Sequence, residues 1–143
     1  NSLKEGVLCY QRQKTKKFRR DGAYLEVKIP DRLIPLFNKY KDDEGSEYLL
    51  NFNKRYQDSN CFNINVNHGL KAYCEYNGLP RMCIYNFRHS WATIAQNYCG
   101  ATTAEVGFAL NHSSAHKVTE GYIQKDYSPI SILNEKVIRF LLE

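Results

Sequence analysis

The spacing of apolar residues changes period once along this chain, and that change limits the folds open to it. Near the N-terminus Leu25, Val27 and Ile29 alternate with Glu26 and Lys28, the period of two that belongs to a half-buried strand. From about Asn63 the period lengthens. Val66, Leu70, Tyr73 and Cys74 fall at i, i+4, i+7 and i+8, one face of an α-helix. A chain that switches in this way builds a small sheet first and packs helices against it afterwards.

Within the first part, Val7 to Gln13 and Tyr24 to Ile29 read as strands, with Asp21-Gly22 supplying turn chemistry before the second. Together they predict a β-hairpin that Pro30 ends. Leu33, Ile34, Leu36 and Phe37 suggest a short helix with Pro35 in its first turn, and Lys41 to Glu47 reads as a polar surface loop. In the second part Gly78 and Pro80 stop the helix begun near Asn63. Asn86 then caps a helix whose stripe is Phe87, Trp91, Ile94, Ala95 and Tyr98, closed by Gly100. This spacing assigns Tyr73 and Tyr98 to core or half-exposed positions. Thr102 and Glu105 have capping-box spacing for a helix burying Val106, Ala109 and Leu110. A helix or turn is expected around His116 to Gln124. Ser128-Pro129 starts a last helix with Ile130, Leu133, Val137, Phe140 and Leu141 on one side. The expected fold class is mostly α with a small antiparallel β-hairpin or sheet near the N-terminus (α+β), as one domain over 1–143.

At 143 residues the chain can bury a real core, and 43% hydrophobic with 24% charged residues is ordinary for a globular protein. No apolar run approaches the roughly 20 residues of a membrane span, and no signal peptide heads the chain, so a cytoplasmic location away from membranes is expected. Cys9, Cys61, Cys74, Cys83 and Cys99 are odd in number and scattered, which favours reduced thiols over a disulfide framework. Cys61, His68, Cys74, Cys83 and His89 match no common zinc spacing, so no metal site is expected.

The net charge of +5 says little, but its distribution says more. Arg12, Lys14, Lys16, Lys17, Arg19 and Arg20 put six cations within nine residues, in the predicted hairpin connection. Such a run is either a solvated tip or a patch that faces phosphates and displaces their counterions. Arg88 falls at the predicted start of its helix, where backbone amides and the helix dipole favour an anion, and its fork can grip two phosphate oxygens. Read blandly, it is a surface arginine. His112 follows a predicted helix end, where it could bind an anion or simply satisfy the terminus. His89 points to another face than Arg88, which suits a structural role. Eleven tyrosines make any one of them a weak nucleophile candidate by chemistry alone.

The ordered series Tyr85-Asn86-Phe87-Arg88-His89, Leu110-Asn111-His112-Ser113-Ser114 and Tyr122 resembles the active-site core of the tyrosine recombinases, the phage-integrase family. Tyr10-Gln11-Arg12-Gln13-Lys14-Thr15 is similar to that family's hairpin strand ending in Lys-Thr. Phe87-Arg88-His89-Ser90-Trp91-Ala92-Thr93 resembles its Leu-Arg-His-Thr-Phe-Ala-Thr box, and Leu110-Asn111-His112-Ser113 its Leu-Gly-His-Ser box. The resemblance implies a tyrosine-recombinase catalytic domain with Tyr122 as nucleophile, Arg88 and His112 on the phosphate, and Lys14 as general acid. Tyr85 stands where the family usually has His, and Asn111 where it has Gly. Tyr127 is the chief competitor of Tyr122. Double-stranded DNA is the implied partner, contacted by Arg12, Lys16, Lys17, Arg19 and Arg20, and no cofactor is needed. The family's first catalytic arginine would precede the strand at Val7, so the expectation is a fragment of a longer bacterial or mobile-element integrase. That protein would be a tetramer on DNA, with the last helix as a possible contact between protomers. A DNA-binding module without catalytic activity is the contrasting class, and a type IB topoisomerase relative a third.

Overall fold

The structure, a computed structural model, describes residues 2–4, 6–19, 21–42, 49–112 and 125–143. It is mostly helical with one small antiparallel sheet. Strand β1 (Ser2–Lys4) pairs with β2 (Val7–Gln11), and β2 with β3 (Tyr24–Lys28), in the order β1-β2-β3. The hairpin expected from the alternation is therefore present, and β1 extends it on the far side of β2. The β2–β3 connection is not a simple loop. It holds a one-turn helix, α1 (Gln13–Lys16), so β2 stops two residues short of the expected Gln13.

Register sets which side chains face the helices. Tyr10 lies opposite Leu25 and Leu8 opposite Val27, so these four share one face of the pleat. Leu25 is 2% exposed, which marks this face as the inner one. Arg12 continues the same alternation just past the strand, its amide bonded to Ala23 O at 3.1 Å.

Helix α2 (Ile34–Tyr40) follows a short 3-10 turn at Asp31–Leu33 and has Pro35 in its first turn. Residues 43–47 of the expected surface loop, and residue 48 after it, lie outside the described residues. Helix α3 (Ser59–Tyr76) begins four residues earlier than its apolar spacing suggests, because the Asp58 side chain caps it through Cys61 N at 2.7 Å. It ends in a Schellman motif. Gly78 takes φ +64° while Leu79 N reaches Cys74 O at 2.8 Å and Gly78 N reaches Glu75 O at 3.3 Å.

Helix α4 (Ile84–Asn97) corrects two expectations. Asn86 is not the N-cap but the third helical residue; its Oδ1 accepts from Cys83 N at 2.7 Å, the second half of a capping box. Arg88 therefore lies in the second turn, past the free amides, and the helix dipole does not give it a prepared anion site. The start of the helix is also satisfied from within the protein, since Ile84 N donates to Asn67 Oδ1 at 2.8 Å.

The core lies where α4, α5 (Thr103–Ala109) and α6 (Ser128–Leu142) meet. Ala95, Ala101, Val106, Leu133 and Val137 are buried there, with Trp91, Ile94 and Leu110 packed around them. The Thr102–Glu105 capping box forms as its spacing predicts. Two expected stripes are narrower than their sequence patterns. Phe87 and Tyr98 on α4, and Phe140 and Leu141 on α6, are exposed, as is Tyr73 on α3. Tyr98 and Phe140 cover one another by stacking at 4.8 Å. The five cysteines are free thiols. No described helix is long and apolar enough to cross a membrane.

Candidate functional site

The C-terminal end of α5 builds the site. Its last turn closes as a second Schellman motif: His112 N reaches Gly107 O at 2.9 Å and Asn111 N reaches Phe108 O at 2.9 Å. The motif needs a residue with positive φ just after the helix, and Asn111 adopts φ +54° there, the conformation the resemblance suggests for a glycine-like position. Asn111 is 4% exposed, and its side chain is used at both ends. Nδ2 donates to Ala23 O at 2.9 Å, and Oδ1 accepts from Arg19 Nη1 at 2.6 Å. Ala23 is itself at φ +53°. These two residues, the only described non-glycines with positive φ, are thus bonded to each other. Strain of this kind survives only where surrounding contacts over-determine it.

Two arginines take the carbonyls of the two residues that follow α5. Arg88 Nη2 donates to Leu110 O at 2.7 Å, and Arg12 Nη1 donates to Asn111 O at 3.0 Å. Arg88 Nη2 also lies 3.1 Å from His112 Nε2. A guanidinium has only donors, so Nε2 must offer its lone pair and the imidazole is neutral with its proton on Nδ1. Partial burial, then the charges of Arg88 and Arg12, hold His112 below the ordinary imidazole value of 6.5. Tyr10 lies in the same field. Burial raises its phenol above 10, while Arg88 and Arg12 pull it down.

The structure thus brings Arg88, His112 and Arg12 together, and it adds Tyr10 and Asn111. Tyr10 is not among the residues that the sequence pattern assigns to the site. Its spacing two residues before Arg12 puts both on the inner face, a signal that was available. Lys14 is exposed on α1 and makes no hydrogen bond or ion pair among the described residues, while its neighbour Thr15 buries its hydroxyl without a hydrogen-bond partner. Tyr85 is 58% exposed and packs edge-on against His89 at 4.7 Å, with no bond to Arg88. Tyr122 lies outside the described residues, as does Arg20.

The basic run divides by environment. Lys16 and Lys17 are exposed, but Arg19 is spent within the protein. Besides Asn111 it grips Asp21 through Nε at 2.9 Å and Nη2 at 2.6 Å, and Lys125 pairs with the same carboxylate. Although burial pushes it upward, the bonds from Arg19, Lys125 and Ala23 N win and hold the Asp21 carboxyl well below its ordinary value. Tyr127, the competitor of Tyr122, is committed elsewhere. Its hydroxyl donates to Tyr24 O at 3.1 Å, and its ring stacks on Phe108 at 5.9 Å. Burial first, and the negative charges of Asp21 and Glu26 next, raise its phenol above 10, which disfavours the phenolate. Set against known proteins, the chain matches no family model, no curated protein and no solved structure.

Proposed function

We propose that this chain is the catalytic domain of a tyrosine-type DNA strand transferase, a site-specific recombinase that cuts and rejoins DNA through a 3′-phosphotyrosyl intermediate. The observation that carries the reading is the contact of Arg88 with His112 across 24 residues of sequence, on a surface that also holds Arg12. Two residues picked out from separate sequence boxes meet at one point, and no carboxylate neutralises Arg88 among the described residues. Charge of this kind suits a phosphodiester, whose non-bridging oxygens carry the charge that develops during transfer.

In the proposed reaction the Tyr122 oxygen loses its proton to solvent and attacks phosphorus. The bond from phosphorus to the 5′-oxygen breaks, and Lys14 gives that oxygen a proton. Rejoining reverses the sequence, with a 5′-hydroxyl attacking the phosphotyrosine. Forming a phenolate near neutral pH costs about 4 kcal/mol, so the cations around the phosphate must offset much of it. The exposed lysines Lys16 and Lys17 are suited to flanking DNA. The apolar end of α6, with Phe140, Leu141 and Leu142 exposed, supports a contact between protomers in a DNA-bound tetramer.

One observation favours the binding-only alternative: Lys14 is exposed on α1, with no hydrogen bond among the described residues to hold it at the site. A nicked suicide duplex separates the two readings. Run on a denaturing gel, the duplex should give a covalent protein–DNA band with a longer integrase that carries this sequence, and little or none with the 143-residue chain alone. That band should disappear with Tyr122→Phe and persist with Tyr127→Phe. Salt-sensitive DNA binding with no band from either protein would leave a DNA-binding module.

A further inference from the structure

Consecutive carbonyls of one Schellman loop hold two guanidiniums. Leu110 O takes Arg88, Asn111 O takes Arg12, and each arginine keeps N–H groups that have no partner among the described residues. Neither has a carboxylate partner there, whereas Arg19, only seven residues beyond Arg12, is paired with Asp21. Like charges this close repel, and the fold offsets that repulsion with backbone oxygens and the strained Asn111–Ala23 lock. The Tyr10 hydroxyl, also without a partner among the described residues, lies within the field of both, and so does the neutral imidazole of His112. Two planar forks anchored on consecutive carbonyls, with a phenol and an imidazole in the same field, suit a tetrahedral oxyanion.

We infer that Arg12 is the second guanidinium of a phosphate-binding site whose first is Arg88, with the Tyr10 hydroxyl as an added donor. This rests on the strand-transfer reading for its natural ligand, a DNA phosphodiester, although its chemistry serves any phosphate oxyanion. Arg12 then touches the reacting phosphate rather than tracking the duplex backbone, and the hairpin itself supplies a cation that the two sequence boxes lack. Tyr10 donates to an oxygen and does not act as a nucleophile.

The test binds inorganic phosphate to the 143-residue chain, followed through the arginine side-chain and His112 resonances. Arg12→Gln and Arg88→Gln should each weaken binding by about 10- to 100-fold, as expected on losing charged hydrogen bonds. Lys71→Gln, at an exposed α3 lysine paired with Glu75, should not change it. Arg12→Lys keeps the charge without the fork and should fall between; it also serves if melting shows that Arg12→Gln loosens the loop. Wild-type affinity in Arg12→Gln and Arg12→Lys, with binding lost in Arg88→Gln, would overturn the inference. Duplex DNA that displaces the phosphate identifies a nucleic acid as the source of the ligand, and phosphate that DNA leaves in place identifies a small anion; both outcomes keep the two-arginine site. The covalent assay separates the two readings. Two-arginine phosphate binding without any DNA adduct would retain this site and remove strand transfer. An adduct that forms in Arg12→Gln at the wild-type rate would do the reverse.

Discussion

At the scale of single residues, His112 shows how a tertiary contact sets a charge state. Its folded imidazole is held below 6.5, so the unfolded chain takes up the proton first as pH falls. The stability this group contributes is full above about pH 6.5 and declines on acidification, until the folded imidazole protonates as well. A proton NMR titration should therefore place the His112 midpoint below 6.5. Arg88→Gln should move it upward only part of the way, because burial is the larger cause. An anion in the site should move it upward in the wild type, since bound negative charge favours imidazolium. A His112 midpoint that ignores both changes would contradict the contact.

At the scale of elements, the β2–β3 connection acts as a clamp. Arg12, Arg19 and Ala23 hold Asn111, Asp21 holds Lys125, and Tyr24 O holds Tyr127. The basic run is therefore partly a structural device and only in part an exposed patch. Asp21 is its centre. Its folded carboxyl titrates well below the unfolded value near 3.9, so its stabilisation is present above that pH and is lost as pH falls from there toward the folded value. Asp21→Asn should destabilise the protein at pH 7 by about 1–3 kcal/mol, measured from urea midpoints. The gap between variant and wild type should narrow below about pH 3.9. An equal gap at pH 7 and pH 2.5 would mean that the Arg19–Asp21–Lys125 cluster contributes nothing to stability.

For the whole molecule, stability rests on the narrow seam between α4, α5 and α6, and α3 adds only Cys74 to the buried set. Leu133→Ala, at 7% exposure, should cost about 2–4 kcal/mol through lost burial and the cavity it leaves. Its neighbour Ile132, 57% exposed, should tolerate alanine within about 0.5 kcal/mol. Thermal unfolding of the pair checks this directly. Similar losses from both would show that the outer face of α6 is also covered in solution.

What the sequence by itself determined is local: the hairpin, the glycine and proline stops, and the Thr102–Glu105 cap. Each depends on a few neighbouring residues, through side-chain period, φ preference or a hydrogen bond three residues away, and such terms need no knowledge of the rest of the chain. Helix starts were less legible, because Asp58 and Cys83 act by geometry that apolar spacing does not reveal. Only the tertiary structure decided that Phe140, Leu141 and Tyr73 would be exposed, that Arg19 would be spent on Asp21, and that Arg12 and Tyr10 would stand beside Arg88. Those outcomes follow from long-range packing. Arg12 and Asn111 are 99 residues apart, and nothing local to either encodes the carbonyl that joins them.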